Sequence, residues 1–323
     1  MKRLKKISLI IKKKNKTMYF IIRKKYLEWL KLKLYIKSWL GYNFCNRRKY
    51  IEIMYQKHTN KKLNLDNPKT FNDKLNRLKL YWYDPIAYKC VDKYRVREVV
   101  KERGYENLLN TLYAVYDNPK DINWDELPKE FILKANNGCG NHVICKDKEK
   151  LDKKEAIKTL KKSFYKNYAV FSAEWPYEKV KPKIICEKLL EENGKAPTDY
   201  KIFCCNGKPI FLLIVTERDV DPKFDFFDVN FKMIPVKQQY DNSEFQIKKP
   251  KNYDEMLEIA SKLSQGLPFV RVDFYNINGK IIFGEYTFFH HGGRHEFVPD
   301  KYNYIFGNMI ELPPKMKTPF IKE

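Results

Sequence analysis

The sequence has no stretch of about 18 apolar residues, so a membrane-spanning helix is not expected. A signal peptide is not expected either: the apolar core at residues 7–11 is short, and lysines interrupt the residues after it. The seven cysteines, Cys45, Cys90, Cys139, Cys145, Cys186, Cys204 and Cys205, are odd in number and include no C-x-x-C pair. That pattern suits neither a disulfide framework nor a zinc site, and reduced thiols in a cytoplasmic protein are expected. The Gly-x-Gly of residues 138–140 matches neither the P-loop nor the Rossmann pattern. No Ser–His or Cys–His arrangement has a recognisable catalytic spacing, and no segment repeats. Acid is scarce at the start, where residues 1–49 contain Glu28 alone.

Against that one acid stand 17 Lys or Arg, so the segment carries +16 of the total +24. Residues 50–323 hold 47 basic and 39 acidic side chains, a near balance. A partner recognised by charge therefore belongs to the N-terminal segment. Residues 17–40 lack Gly and Pro and suit a helix, with Trp29 and Trp39 among its basic side chains. Such a helix can lie in an anionic membrane interface or pack on the domain with its lysines solvated, and composition leaves both open. Nucleic acid is not expected, because no recognition motif accompanies the charge. An apolar content of 43% with 15% aromatics marks a folded chain, and 323 residues suffice for one large or two medium domains.

Thr70, followed three residues later by Asp73, is a capping signal for a helix within residues 67–83, with Phe71, Leu75, Leu78 and Leu80 on its apolar side. A second helix is expected from about residue 85 to 103, carrying Asp92 and Lys93 and ended by Gly104. Residues 130–134 and 142–145 read as a hairpin with a mobile tip, whose Gly138 and Gly140 can present backbone N–H groups to phosphate oxygens. An amphipathic helix comes next at 153–168, then a strand at 183–186, Glu187-Lys188-Leu189 and a loop at 191–198. Strands at 199–205 and 209–215 turn at Asn206-Gly207, and a helix lies near 253–265.

Residues 269–287, FVRVDFYNINGKIIFGEYT, read as a second hairpin around Asn278-Gly279. Arg271 and Asp273 share one face of the first strand, and Glu285 and Thr287 share one face of the second. A two-residue loop would put Asp273 and Glu285 on opposite faces. A three-residue loop, residues 277–279, pairs Arg271 with Glu285 and leaves Asp273 diagonal to it, about 7–8 Å away at Cα. In that second register two carboxylates and an arginine would sit on one face. Such a pair needs a cation between it, and magnesium is held this way in phosphoryl-transfer sites. A solvent-facing Arg–Glu pair is the bland alternative. His290, His291 and His295 invite a metal reading, but Gly292 and Gly293 spoil the helical spacing of a zincin, and a substrate loop is expected instead.

The order of these features resembles the ATP-grasp superfamily. More narrowly, NPKTFNDKL, VDKYRVR, FILKANNGCG, EWPY, DYKIFCCNGKP and FVRVDFYNINGKIIFGEYTFFHHGG resemble the TupA-like branch, linked to teichuronopeptide and other surface-polysaccharide synthesis. The resemblance covers about residues 50–310 and implies an α+β fold of two lobes, with ATP between their sheets and a basic helical segment in front. The division it suggests is a basic segment at 1–49, a mostly helical region at 50–128, a small lobe with a Gly-rich lid at 129–190, a large lobe with the magnesium site at 191–310, and a tail.

The resemblance also implies roles. Lys93 and Lys134 match the lysines that hold nucleotide phosphates, and Gly138, Cys139 and Gly140 match the lid above them. Glu187, Lys188 and Leu189 match the hinge that recognises adenine. Asp199 stands where a ribose-binding acid often sits, and Arg218 is a further candidate phosphate contact. Asp273 and Glu285 match the Mg2+ carboxylates, and Arg271 the arginine on the transferred phosphoryl group. Thr287 replaces the usual asparagine metal ligand, and Cys139 replaces a serine or glycine. The implied cofactors are ATP and Mg2+. The implied activity is a carboxylate–amine ligase working through an acyl phosphate on an envelope glycan or its precursor, with an amine or amino-acid donor. A nucleotide-sugar glycosyltransferase and a non-catalytic membrane-surface scaffold are the rival classes. The expected location is cytoplasmic, peripheral at an anionic inner leaflet through residues 1–49.

Overall fold

A computed structural model describes residues 33, 36, 38–43 and 46–319, and within it residues 269–287 form the expected hairpin by an unexpected route. Strand β9 (Val270–Ile277) and strand β10 (Lys280–Thr287) pair from Ile277↔Lys280, so the loop has two residues and not three. Asn278 and Gly279 both take positive φ, 50° and 80°, which matches the right-handed twist of the strands. Such a loop alone would put Asp273 and Glu285 on opposite faces. Gly284 prevents this as the extra residue of a β-bulge: Phe283 pairs with Phe274, and Glu285 then pairs with Asp273. Arg271 lies opposite Thr287, not Glu285. Glycine suits the bulge because a Cβ there would sit 3.0 Å from the Asp273 carbonyl oxygen.

This hairpin forms one edge of a six-stranded antiparallel sheet with the order β10-β9-β5-β6-β7-β8. The other strands are β5 (Asp199–Cys205), β6 (Lys208–Thr216), β7 (Lys223–Phe227) and β8 (Met233–Ile234). The expected turn joins β5 to β6, again with positive φ at Asn206 and Gly207. Met256, Ile259, Ala260 and Leu263 of a helix at Tyr253–Leu263 join its core with Phe203, Phe211, Phe226 and Phe269.

The smaller sheet has four antiparallel strands in the order β1-β4-β2-β3. They are β1 (Leu112–Tyr116), β2 (Phe131–Ala135), β3 (Val143–Cys145) and β4 (Ile184–Glu187). Along β2, Phe131, Leu133 and Ala135 are buried with Ala156, Leu160 and Phe164 of the helix at Lys153–Phe164. The alternate residues, Ile132 and Lys134, face the other way, into a cleft.

The chain divides into two compact units, Met1–Asn46 and Arg47–Glu323. The helix expected over residues 17–40 lies almost wholly outside the described residues, as does Cys45. In the second unit, helix α1 spans Arg47–Thr59 and helix α2 spans Phe71–Tyr81. The capping box of α2 is formed as expected: Asp73 N–H donates to the Thr70 side chain, and Thr70 N–H donates to the Asp73 carboxylate. The single helix expected from 85 to 103 is instead two, α3 (Ile86–Cys90) and α4 (Val96–Glu102), with Asp92 and Lys93 in the turn between them. Asp92 is the cause: its buried carboxylate accepts the N–H groups of Tyr94 and Arg95 and the Asn136 amide, which favours a turn over a continuous helix.

Candidate active site

The two sheets face each other across a cleft of about 340 Å³. The large sheet contributes a row of charge. Lys201 on β5 pairs with Asp273 on β9, and Asp273 pairs with Glu285 on β10, so three ionisable side chains lie side by side on one face. Lys201 Nζ is 2.6 Å from Asp273 Oδ2 and 2.6 Å from Asp199 Oδ2. Arg271, two residues before Asp273, turns onto it through two parallel bonds, Nε to Oδ1 and Nη2 to Oδ2, each 2.6 Å. The same Nη2 donates to Thr287 Oγ1 at 3.0 Å and reaches Glu285 Oε1 at 3.4 Å. Asp273, Glu285 and Thr287 thus present oxygen to one cationic nitrogen.

The walls of the cleft carry further cations. Lys93, in the turn between α3 and α4, reaches Glu285 Oε2 at 3.2 Å. Lys134 on β2 lies 2.9 Å from Glu187 Oε2, and Arg97 on α4 lies 3.5 Å from Glu187 Oε1. Arg218 lies 3.2 Å from Asp199 Oδ2 and 3.4 Å from the Tyr275 hydroxyl. Lys93, Arg97, Lys134, Lys188, Lys201 and Arg218 line the cleft against Glu187, Asp199, Asp219, Asp273 and Glu285. With Arg271 added behind the wall, cations are in excess, which suits a polyanionic ligand.

Position sets the protonation of these groups. Burial would raise the Glu285 carboxyl, but Lys93, Lys201 and Arg271 together hold it well below the usual carboxylate range. Burial would lower Lys201, yet Asp199 and Asp273 keep its ammonium above the ordinary value. Lys134 is likewise held above its ordinary value, against burial, chiefly by Glu187. His142, on the cleft wall, is pushed down by burial and by Lys134, Arg218 and Lys93.

Nearly every residue singled out in the sequence meets at this cleft, including Lys93, Lys134, Cys139, Gly140, Glu187, Lys188, Leu189, Asp199, Arg218, Asp273 and Glu285. Asp199 is buried and holds two cations, Lys201 and Arg218. The hinge is tied to the start of the small sheet: Lys188 N–H donates to the Thr111 carbonyl, and Asn110 Nδ2 donates to the Lys188 carbonyl. Arg271 and Thr287 meet the row from outside the lining, and the remaining exception is Gly138. It takes φ 150° beneath the Tyr168 ring, whose atoms would lie 2.0 Å from a Cβ at that position. Tyr168 also donates to the Cys139 carbonyl.

His290 is buried, with 1% of its surface exposed, so it is not part of an open substrate loop. Rings of His58, His295, His291 and His290 stand one after another in a file, with successive centroids 4.8, 4.8 and 4.1 Å apart, instead of converging on a point. Their loop is strained, with positive φ at His291, Gly292 and Gly293. Three buried donors spaced i, i+4, i+7 on α2 hold it: Asn72 Nδ2 to the His295 carbonyl, Asn76 Nδ2 to the Gly293 carbonyl and Lys79 Nζ to the Gly292 carbonyl.

Sequence reasoning missed Lys201, Arg97, His142 and these three α2 residues. Lys201 could have been found, since Asp199-x-Lys201 repeats on β5 the two-residue spacing of Arg271-x-Asp273. The partners of Arg97 and the α2 stripe lie far away in the chain, and nothing local announces them.

The donor set fits magnesium. The oxygens are hard, two are carboxylates, and Mg2+ is commonly held by one or two carboxylates plus substrate phosphates. Among the described residues no group of three or more His, Cys, Asp or Glu side chains is placed to hold a metal unaided.

A family model described as TupA-like ATPgrasp matches residues 73–311. No curated protein matches the chain. Among solved structures, D-alanine–D-alanine ligase from Bacillus anthracis in complex with ATP is 15% identical, with 62% of this chain and 53% of that chain covered and a TM-score of 0.36. The Helicobacter pylori D-alanine–D-alanine ligase is 16% identical, with 71% and 60% covered and a TM-score of 0.40. An ADP complex of N5-carboxyaminoimidazole ribonucleotide synthetase is 13% identical, with 62% and 45% covered and a TM-score of 0.40. The chain spans about half the length of these structures. With three quarters of its length inside the match, the chain belongs to the TupA-like ATP-grasp family.

Proposed function

We propose that this chain is an ATP-dependent carboxylate–amine ligase acting on an envelope glycan or its precursor. The observation that carries the reading is the row Lys201–Asp273–Glu285, clamped by Arg271 and faced by Lys93 and Lys134 across one cleft. Membership of the TupA-like branch supports the glycan assignment.

Lys93, Lys134 and Lys201 are placed to hold phosphate oxygens, and Arg218 adds charge at the cleft wall. Arg271 is fixed beside the carboxylates, where charge develops on a transferred phosphoryl group. Magnesium on Asp273, Glu285 and Thr287 would supply neutralisation of the phosphates. The substrate carboxylate attacks the γ-phosphorus, and the bond to ADP breaks. The amine then attacks the acyl carbon, phosphate leaves, and the amine proton passes to phosphate or water. Positioning and charge do the catalysis, so no protein nucleophile is required.

Nucleotide preference and product release test this reading. ATP with magnesium should raise the melting temperature while UDP-sugars leave it unchanged, and ADP release should require both a carboxylate and an amine. Stabilisation by a UDP-sugar without ATP consumption would overturn the ligase in favour of glycosyl transfer.

The basic residues 1–49 would hold the protein at an anionic leaflet. Each Lys or Arg near such a surface contributes about 1 kcal/mol, fading within a Debye length. Among the described residues no helix is long and apolar enough to cross a membrane. Liposome binding should require anionic lipid, fall with salt and vanish in a chain starting at Tyr50. Equal binding to neutral liposomes would refute the electrostatic anchor.

A further inference from the structure

Behind the carboxylate row a second set of buried groups meets Arg271. His290 Nδ1 lies 2.6 Å from Arg271 Nη1, and His290 Nε2 lies 2.7 Å from Gln238 Oε1. Gln238 Nε2 donates to the His295 carbonyl at 3.0 Å, the same carbonyl that Asn72 Nδ2 reaches at 3.0 Å. Arg271, Gln238 and His290 are 6%, 2% and 1% exposed, so water cannot substitute for any of these partners.

The chemistry leaves one assignment of protons. A guanidinium only donates, so His290 Nδ1 must offer its lone pair. The single imidazole proton is then on Nε2 and must meet an acceptor, which is Gln238 Oε1. That turns the Gln238 amide nitrogen to the His295 carbonyl, where it also finds an acceptor. Arg271 Nη1, both ring nitrogens of His290 and both amide atoms of Gln238 are satisfied together only this way round. An imidazolium would set an N–H against Arg271. Burial, His291 and Arg271 all push the His290 pKa well below its ordinary value, which keeps the ring neutral.

We propose that His290 and Gln238 are positioning residues for Arg271, with the imidazole proton on Nε2 and Nδ1 accepting from Nη1, so that the Nε–Nη2 edge is held against Asp273, Glu285 and Thr287. This role rests on reading the cleft as the phosphoryl-transfer site. The geometry gives it physical content. The file fixes the rotation of the guanidinium plane from one side while Asp273 fixes it from the other, and an arginine held at both edges needs no reorganisation as charge develops. The support runs back through Gln238 and the His295 carbonyl to Asn72 on α2, which links the strained histidine loop to the site.

Two substitutions separate positioning from mere packing. Asn at 290 can place Oδ1 near the position of Nδ1 and still accept from Arg271. Gln at 290 places its amide at the Nε2 end and leaves Nη1 without an acceptor. We expect His290→Gln to lower kcat by about 10- to 100-fold, as loss of an orienting hydrogen bond commonly does, and His290→Asn to stay within about threefold of wild type. Both should bind ATP with unchanged affinity and keep similar melting temperatures. Gln238→Glu should behave like His290→Gln, because a carboxylate beside Nε2 favours the imidazolium and sets Nδ1–H against Arg271. Equal losses in His290→Asn and His290→Gln would overturn the proposal.

Imidazole 15N–1H correlation spectra of the histidine-labelled wild-type chain give a readout that needs no turnover. His290 should show a protonated Nε2 and a bare Nδ1 across neutral pH. The reverse tautomer, or an imidazolium, would also overturn the proposal. Should the wild type release no ADP with any carboxylate and amine, the ligase reading fails separately, and the Arg271 Nε–H resonance decides the positioning: displaced or broadened in His290→Gln, retained in His290→Asn.

Discussion

Replacing Lys201 by methionine removes one cation from between two buried carboxylates. Its Nζ lies 2.6 Å from both Asp199 Oδ2 and Asp273 Oδ2, and those side chains are only 4% and 2% exposed. Stripping the partner from a buried ion commonly costs about 3–5 kcal/mol when nothing else compensates it. Here each carboxylate keeps a cation: Asp273 keeps two bonds from Arg271, and Asp199 keeps Arg218 at 3.2 Å. The expected loss is therefore nearer that of one charged hydrogen bond, about 2–3 kcal/mol, or a fall of about 4–10 °C in Tm for a unit of this size. Lys201 sits above its ordinary pKa in the folded chain, so its contribution is complete below the unfolded value and is lost only as pH rises through the folded one. The Tm difference between wild type and Lys201→Met should thus be flat from about pH 6 to 9 and close at higher pH. Magnesium should stabilise the methionine variant more than wild type, because it returns positive charge to the same carboxylates. Thermal melts across pH, with and without magnesium, measure all three. A Lys201→Met chain that melts with wild type at neutral pH would refute the argument that this lysine balances the pair.

Asp273→Asn and Glu285→Gln should each lower ATP-dependent turnover by at least about 100-fold, since each removes charge from the proposed magnesium site, while circular dichroism shows an intact fold. Glu285 is held below its ordinary pKa, so it adds stability above about pH 4.5 that is lost as the pH falls further, and Glu285→Gln should lack that acid-side loss in melts from pH 3 to 5. Gly284→Ala sets a Cβ 3.0 Å from the Asp273 carbonyl, so a cost of about 1–3 kcal/mol in urea unfolding is expected, together with weaker magnesium dependence of nucleotide binding; unchanged values for both would show that the bulge tolerates a side chain. Amide exchange across residues 136–141 should slow on addition of an ATP analogue with magnesium, and unchanged exchange at saturation would remove these residues from the phosphate lid.

Local chemistry made much of this chain legible. The Thr70–Asp73 capping box, the Asn206-Gly207 turn and the two-residue alternation of the strands are decided within a few residues, so they could be placed without partners. The ordered motifs then brought Lys93, Lys134, Glu187, Arg271, Asp273 and Glu285 to one family, and all but Arg271, which backs its wall, line the cleft. Errors fell where a distant group decides the local outcome. The helix expected from 85 to 103 is broken because Asp92 bonds Asn136, 44 residues away, as well as its own neighbours.

The hairpin marks the boundary most sharply. Its residue types and its Asn-Gly turn follow from backbone sterics alone, and they announce two strands with carboxylates. Whether those carboxylates share a face depends on a single unpaired residue, Gly284, and a bulge forms only where the partner strand makes it favourable. The same holds for Lys201 and for the file from Asn72 through Gln238 and His290 to Arg271. A buried polar group must find a partner somewhere, but the sequence does not say where, because its partner is brought near only when the sheets pack. Residue chemistry therefore supplied the cations and carboxylates of the cleft, and packing alone decided which atom of each holds which.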